Sequence, residues 1–189
     1  MPATGVAEPG EILVFRYPGN MQKDFIKRVV AVAGDTVKVI DDTLFVNGEP
    51  SPFASEYQDP FYPNPLDYCW PECLEDRAVR RGIPDLAYDE LSRGVVIDGE
   101  GEPAYIVPAG HVFMMGDNRD HSNDSRFWGA VPYGLVEGTP WFVYFSMDDD
   151  YIVRWDRIGK TPSDLEEPDY LDKAVTERIE QDKNDHGLY

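Results

Sequence analysis

The sequence predicts a mainly β protein with a coiled antiparallel β-sheet core, a loop-rich inserted lobe and a short C-terminal helix. Short runs of β-branched and aromatic residues alternate with turn signals over most of the chain. Nine of the 16 prolines fall within residues 50–108, where the strand pattern is lost because proline cannot donate to a sheet ladder. With 189 residues, of which 42% are hydrophobic and 13% aromatic, the chain can bury a core, which excludes global disorder.

The charge balance narrows the class of partner. The chain has 17 lysine and arginine residues against 36 aspartate and glutamate residues, and its net charge is −19. A protein that binds nucleic acid through the phosphates needs a basic surface, so we expect no nucleic-acid partner. No run of 18 apolar residues is present, so the sequence predicts no membrane-spanning helix.

The first 48 residues predict strands joined by tight turns. The strand runs are residues 11–15, 25–33, 36–40 and 43–46. The Asp41-Asp42 pair between the last two runs predicts a β-hairpin, and Asn47-Gly48 then turns the chain again. These runs form the first half of the predicted sheet core.

The second half of the chain predicts further strands and one helix. The strand runs are residues 105–107, 111–115, 141–145 and 151–155. Near the C-terminus, Leu171, Val175 and Ile179 recur at four-residue spacing, which predicts an amphipathic helix with Asp169 as its N-cap. A solvated tail that frays is the alternative.

These patterns divide the chain into three parts. Residues 8–49 and 104–160 form the predicted β core, residues 50–103 an inserted Pro-rich lobe, and residues 161–189 an acidic C-terminal tail or helix. The insert contains the two cysteines, at positions 69 and 73, whose spacing without a second Cys or His pair does not favour a zinc site. A local disulfide and two unpaired thiols both remain open.

Lys27 lies inside an apolar strand run. Strict alternation would place Phe25, Lys27, Val29 and Ala31 on one face and Ile26, Arg28, Val30 and Val32 on the other. Both faces are apolar, so we predict a central strand. A lysine in an apolar row loses solvation, which lowers its pKa, and the neutral amine can act as a general base. The alternative is a structural lysine that reaches water or pairs with a carboxylate.

The densest polar cluster is the loop at residues 116–129, GDNRDHSNDSRFWG. Such a loop is costly to order unless its polar groups satisfy one another. We expect Asp124 to pair with Arg126, and Asp120 to pair with either loop arginine. Ser122 is then available to bond a group outside the loop.

Two other interpretations of this loop fit the sequence less well. A calcium loop built from Asp117, Asp120 and Asp124 lacks the spacing, the glycine and the terminal glutamate of an EF-hand. A hydrolase triad that uses His121 would need a G-x-S-x-G turn for its serine, and the sequence has none.

Residues 25–35 (FIKRVVAVAGD) and 116–129 together resemble two conserved boxes of the bacterial type I signal peptidases. The second motif, G-D-N-R-D-x-S-x-D-S-R-x-W-G, is too long to arise by chance. The similarity covers roughly residues 8–48 and 104–160, and the Pro-rich insert falls where this family carries its variable second domain. The resemblance implies a Ser/Lys dyad protease that cleaves signal peptides from exported preproteins without a cofactor or metal. It also implies an extracytoplasmic (periplasmic) location at the cytoplasmic membrane.

The resemblance assigns roles residue by residue. Lys27 matches the general base, and Ser122 matches the serine that orients the lysine amine. Asp124 and Arg126 match the pair that braces the loop, and Asp120 matches a further acid there. The implied substrates are signal peptides of the Ala-x-Ala type, with small residues at the −1 and −3 positions.

The chain departs from the family pattern at the nucleophile. The family's nucleophile is the serine of an S-M-x-P-T-L box upstream of the lysine strand, whereas no serine precedes Lys27 here. Ser146-Met147 lies downstream and is followed by three aspartates. We therefore expect a fragment that lacks the N-terminal anchor and the nucleophile box and is inactive alone. A non-catalytic peptide-binding relative and an acidic calcium-binding β-module are the alternatives.

Two surfaces follow from the resemblance. An extended peptide can add to an exposed strand edge, and residues 11–15 are a candidate for that edge. Family enzymes also present an apolar surface to the membrane, for which the candidates are Phe15, Tyr17, Phe142 and Phe145. Core packing is the alternative for each of these side chains.

Overall fold

The computed structural model describes residues 7–41, 43–53, 70–71, 94–97, 99, 101–147 and 151–167. The chain divides into two compact units, Met1–Thr139 and Pro140–Tyr189. Among the described residues, no helix is both long and apolar enough to cross a membrane. Most of the predicted insert, both cysteines and the predicted helix at 171–179 lie outside the described residues, so those expectations remain predictions.

The first unit contains two five-stranded antiparallel sheets, which confirms the mainly β prediction. The first sheet consists of β1 (Ile12–Arg16), β2 (Asp24–Val32), β8 (His111–Met115), β9 (Val131–Pro132) and β10 (Val136–Gly138). The second sheet consists of β3 (Thr36–Ile40), β4 (Thr43–Val46), β5 (Glu49–Pro50), β6 (Val95–Ile97) and β7 (Pro103–Ile106). The strand orders are β10-β1-β2-β8-β9 and β5-β4-β3-β7-β6.

The strand that carries Lys27 is the middle strand of the first sheet, as predicted. β2 pairs with β1 on one side and with β8 on the other. The predicted strict alternation is interrupted by a bulge at Val30, because the pairing with β8 skips from Val29 to Ala31. A bulge inserts one unpaired residue and shifts the faces beyond it. Val30 and Ala31 therefore pack in the same core cluster.

The predicted hairpin is also present. β3 and β4 pair antiparallel through the turn at Asp41, whose φ is +46°. Asn47 and Gly48 both have positive φ, at +56° and +84°, which is the geometry of the tight turn that their sequence predicts. The Asn47 side chain also bonds Asp35 at 2.8 Å, so the two turns support each other.

Two core clusters cover the two faces of the first sheet. One joins that sheet to the second sheet and includes Val30, Ala31, Val37, Val39, Leu44, Trp70, Tyr105, Phe113 and Met115. The other lies on the opposite face and includes Leu13, Phe15, Val29, Val112, Met114, Trp128 and Val131. We call the second group the aromatic-side cluster, and it provides the surroundings of Lys27.

The structure restricts both surface candidates in the first strand. β1 pairs with β2 along its length, and β10 pairs with its other side at Val14 and Phe15, so these two residues do not form a free edge. Phe15 is fully buried and Tyr17 packs against the aromatic-side cluster, so Phe15 cannot contribute to a membrane-facing surface. Phe142 and Phe145 are exposed.

The second unit forms an irregular hairpin instead of the two strands predicted at 141–145 and 151–155. The two segments share the isolated bridge between Met147 and Val153 and backbone bonds between Val143 and the stretch near Lys160. The run at 141–145 is apolar at every position and so carries no strand period. Strand propensity depends on a neighbour to pack against, and this hairpin leaves Trp141 and Tyr144 largely exposed.

A one-turn helix, Pro162–Leu165, ends the described part of this unit. Thr161 caps it, with a capping box to Asp164 and proline at the first turn. The local sequence T-P-S-D contains both signals, a capping threonine and a proline at the first helical position.

Candidate active site

Lys27 projects from β2 toward the aromatic-side cluster. Its cross-strand neighbour on β1 is Leu13, which is buried in that cluster. Its Nζ lies 5.8 Å from the centroid of the Phe25 ring. The lysine is therefore placed in an apolar row, as the strand pattern predicts.

This setting lowers the pKa of Lys27 from its ordinary value of 10.5. Burial is the main cause, because removing the amine from water disfavours the charged form. The charge of Asp124 opposes the shift, that of Arg126 reinforces it and that of Asp117 opposes it. The net shift makes the neutral amine, which is the form that accepts a proton, more abundant at any given pH.

The Phe25 ring beside the amine belongs to a group of packed aromatic rings. The rings of Phe25 and Tyr17 stack with centroids 4.6 Å apart. Tyr17 meets Trp128 edge-on at 5.7 Å, and Phe15 contacts Trp128 at 5.8 Å. Ring pairs of this kind stabilise the packing of this part of the cluster beyond the area that they bury.

Lys27 and Ser122 both lie on the open side of Gly116. A Cβ added at position 116 would overlap the Ser122 hydroxyl and would come within 3.3 Å of Lys27 Nζ. Ser122 is only 6% exposed, and its hydroxyl interacts with Asp124 closely enough to help lower the pKa of that carboxyl. The amine and the hydroxyl thus share the space that a side chain at position 116 would fill.

Asp124 and Arg126 form the predicted pair and are fully buried. Arg126 Nε donates to Asp124 Oδ1 and Arg126 Nη2 donates to Oδ2, each at 2.9 Å. Asp124 also caps the short helix α1 (Ser125–Trp128) by accepting from the Arg126 backbone N–H at 3.1 Å. The predicted bracing pair is therefore present as a bidentate, charge-assisted contact.

Asp124 connects this pair to the Lys27 site. Its Oδ2 accepts from the Gly116 backbone N–H at 3.1 Å. Burial alone would raise the pKa of Asp124, but the charge and hydrogen bonds of Arg126, with the bond from Gly116, hold it below its usual value. The carboxylate is ionised and fixes Gly116 beside the amine and the hydroxyl.

Asp120 lies at the border of a cavity of about 340 Å³ that also touches Tyr17, Ser122 and Trp128. The structure brings Lys27, Ser122, Asp124 and Arg126 around Gly116, whereas it places Asp120 beside the cavity next to Ser122. Sequence reasoning missed the importance of Gly116. The available signal was a glycine directly after a buried strand and directly before a polar loop.

The loop carboxylates do not converge on a calcium site. Asp124 is engaged by Arg126, and Asp117 forms a bidentate pair with Arg28 at 2.8 and 2.9 Å. Within the described part of the chain, no three His, Cys, Asp or Glu side chains are placed to hold a metal ion. Calcium binding requires six to eight oxygen ligands, so the arrangement does not fit the calcium-binding alternative.

A comparison with known families decides the family of the chain. The family model described as signal peptidase, peptidase S26, matches residues 2–145. The chain belongs to this signal peptidase family. The two conserved boxes that suggested the resemblance both fall inside the matched region.

Three similar proteins, each a signal peptidase I, agree with this family assignment. The signal peptidase I of Helicobacter pylori strain J99 is 30% identical, over 88% of this chain and 69% of its own length. That of Aquifex aeolicus is 32% identical, over 75% and 65%, and that of Pseudomonas fluorescens is 36% identical, over 82% and 56%. The chain thus spans 56% to 69% of the length of these relatives.

Among solved structures, the chain aligns with the crystal structure of a signal peptidase I from Enterococcus faecalis V583. The alignment covers 72% of this chain and 99% of that chain, at 23% identity and a TM-score of 0.40.

Replacing Gly116 with alanine is expected to distort the site of this signal peptidase family member. The new methyl group would overlap Ser122 and crowd Lys27, and such overpacking costs about 1–3 kcal/mol of unfolding free energy. Gly134→Ala is the matched control, since a Cβ there meets no atom within 4 Å. Urea unfolding of both variants measures the difference, and equal midpoints would contradict the crowding argument.

Replacing Lys27 with methionine is expected to stabilise the protein most at pH values below the folded pKa of Lys27. There the folded state carries a half-buried ammonium, and its lowered pKa means that burial penalises the charged form. As pH rises from the folded pKa of Lys27 toward 10.5, the folded amine loses its proton while the unfolded amine keeps it, so wild-type stability increases. The advantage of the methionine variant should therefore shrink across that range.

Urea unfolding at several pH values checks this result, with the exposed Lys23→Met as the control. A stability difference between wild type and Lys27→Met that does not vary with pH would show that the pKa of the Lys27 amine is not lowered in the folded state.

Proposed function

We propose that this chain provides the general base and its supporting residues for a signal peptidase that cleaves signal peptides from exported preproteins through a Ser/Lys dyad. Lys27 is the base. The observation that carries the proposal is the half-buried amine of Lys27, with its lowered pKa, which shares with the Ser122 hydroxyl the space beside Gly116. Membership in the signal peptidase family supplies the reaction class.

The chemistry follows from a neutral amine beside a scissile peptide bond. Lys27 Nζ takes the proton of a serine hydroxyl while the serine oxygen attacks the peptide carbonyl. The protonated amine then gives this proton to the departing amide nitrogen, which leaves an acyl-enzyme. Lys27 next takes a proton from water, and the water oxygen attacks the acyl carbonyl. The acyl–serine bond breaks to release the carboxylic acid, and Lys27 returns its proton to the serine oxygen.

The neighbours of Lys27 act by positioning it. Ser122 offers a hydroxyl that can accept from the amine and keep its lone pair directed at the nucleophile. Asp124, paired with Arg126, holds Gly116, whose lack of a side chain leaves room for the two groups. None of the seven serines precedes Lys27 in the sequence, so the proposal requires the nucleophilic serine to come from outside these 189 residues.

The open side of β2 is the proposed place for the substrate. β8 pairs with β2 only from Arg28 onward, so in the described part of the chain no strand pairs with that side of residues 24–27. An extended peptide can add there by main-chain hydrogen bonds. Ile26 is 53% exposed in this stretch and gives an apolar contact suited to small side chains, as in an Ala-x-Ala signal peptide.

The location follows from the same proposal. Signal peptides are cleaved where exported chains emerge, which places the site at the extracytoplasmic face of the cytoplasmic membrane. The net charge of −19 repels anionic lipid head groups, so stable membrane association of this part requires an anchor outside the described residues.

A non-catalytic peptide-binding relative is the second candidate. It is favoured by one observation, the lack of any serine before Lys27 in this sequence. Such a protein would keep the open strand side and bind the same peptides without turnover.

The two candidates are separated by hydrolysis of a quenched fluorescent Ala-x-Ala peptide. The assay uses the chain alone, the chain with an upstream segment that carries a Ser-Met-x-Pro box, and the same segment with that serine changed to alanine. Cleavage by the serine form alone supports the enzyme. Binding of the peptide without cleavage by any form supports the second candidate, and cleavage by the chain alone would overturn the need for an external serine.

A further inference from the structure

Arg119 is a buried arginine to which neither the motif nor the mechanism assigns a role. It is 5% exposed. Its Nε donates to the Gly116 carbonyl at 3.0 Å, and its Nη2 donates to the Phe53 carbonyl. One guanidinium therefore joins Gly116, the residue beside Lys27 and Ser122, to the end of the segment that follows β5.

Both backbone groups of Gly116 are thus held by charged side chains. Asp124 accepts from its N–H and Arg119 donates to its carbonyl. Arg126, the partner of Asp124, donates to the Arg119 carbonyl at 2.6 Å. The hydrogen bonds of Asp124, Arg126, Arg119 and Gly116 therefore form one connected network. Charge-assisted bonds of this kind fix position more firmly than neutral ones.

The same loop contacts the inserted region at a second point. Trp70 is fully buried in the core cluster between the sheets, and its Nε1 donates to the Arg126 carbonyl at 3.1 Å. Phe53 packs at the edge of that cluster. The described residues at the start and within the insert therefore meet the two arginines of the loop.

We propose that Arg119 is a positioning residue of the Lys27 site, which holds Gly116 in place from the insert side through the Phe53 and Gly116 carbonyls. The proposal rests on the proposed function, since it assigns a further residue to the same site. In this proposal the insert supports the loop at residues 116–129 through the contact of Phe53 with Arg119.

The charge of Arg119 does not explain an effect of this residue on Lys27. The charges that act on the Lys27 amine are those of Asp124, Arg126 and Asp117, so Arg119 is expected to act on it through the backbone. Loss of the Arg119 contacts frees Gly116 to move, which lets water reach the amine. Better solvation raises the pKa of a buried lysine.

The test is a titration of the Lys27 amine by NMR in chains labelled at lysine, with the signal assigned by its loss in Lys27→Met. The variants are Arg119→Gln and Arg119→Lys, and the control is Arg16→Gln, which removes a half-exposed pair with Glu137. We expect Arg119→Gln to raise the pKa of Lys27 by about one unit, a tenfold change in the neutral fraction. Arg119→Lys keeps the charge but has one donor nitrogen where arginine uses two, so it should give a smaller rise in the pKa of Lys27. Arg16→Gln should give no rise.

An unchanged pKa of Lys27 in folded Arg119→Gln overturns the inference. If that variant does not fold, Arg119→Lys decides, and a pKa equal to that of wild type overturns it as well. A wild-type Lys27 that titrates near 10.5 would instead reject the proposed function, so the two failures are distinguishable. Urea unfolding of each variant separates a site effect from general destabilisation, because loss of stability alone does not move the titration of one lysine.

Discussion

Replacing Asp124 with asparagine is expected to remove a large part of the stability of the first unit. Arg126 is fully buried, and the substitution leaves its guanidinium without a counter-charge. Breaking a buried ion pair in this way costs about 3–5 kcal/mol, whereas a typical domain has only about 5–15 kcal/mol of stability. The variant should show a strongly lowered urea midpoint, and its helix α1 loses the charged cap.

Two further variants make this measurement specific. Glu137→Gln breaks the half-exposed pair with Arg16 and should cost less than about 1 kcal/mol. The double variant Asp124→Asn with Arg126→Met removes the unpaired charge and should recover part of the loss. Equal midpoints for Asp124→Asn and Glu137→Gln would contradict the importance of the buried pair.

The same pair predicts how the protein responds to acid. The pKa of Asp124 is lower in the folded state than its ordinary value of 3.8. Its contribution is therefore complete above that value and is lost as pH falls through the folded pKa. Wild-type stability should decline steeply in this acid range, and the decline should be weaker in Asp124→Asn.

The central strand was predictable because its sequence is apolar on both faces, and a strand between two neighbours needs both. Its bulge was not predictable. Val30 fits a strand equally well with or without an extra residue, and the choice is made by the pairing with β8. The shift matters little for Lys27, because the lysine precedes the bulge.

The contact between Asp124 and Arg126 was predictable from local spacing and from the cost of leaving loop charges unpaired. The role of Gly116 depends on the approach of Ser122 to Lys27, two residues that are far apart in the sequence. The contact of Arg119 with Phe53 joins residues 66 positions apart, and no local pattern encodes it. The prediction of two regular strands in the second unit was wrong for a different reason. A continuous apolar run such as that at 141–145 has no period, so periodicity alone does not identify it as a strand.

Replacing Lys27 with methionine or arginine is expected to abolish hydrolysis in a form of the protein that cleaves the Ala-x-Ala peptide. Methionine has no proton acceptor, and general base catalysis contributes about 10²–10⁴ in rate. Arginine stays protonated because its pKa exceeds about 12, so it should fail in the same way although it keeps the positive charge. Lys23→Arg, at an exposed position, should retain full activity.

The pH dependence of this hydrolysis ties the rate to the same amine. Because the pKa of Lys27 lies below 10.5, kcat/KM should rise with pH as the free enzyme loses that proton and should level off before pH 10.5. Ser122→Ala should lower kcat by less than Lys27→Met does and should shift the rising limb, since the hydroxyl orients the amine without replacing it. Substantial turnover by Lys27→Arg would show that another group accepts the proton, and the site would then need a different base.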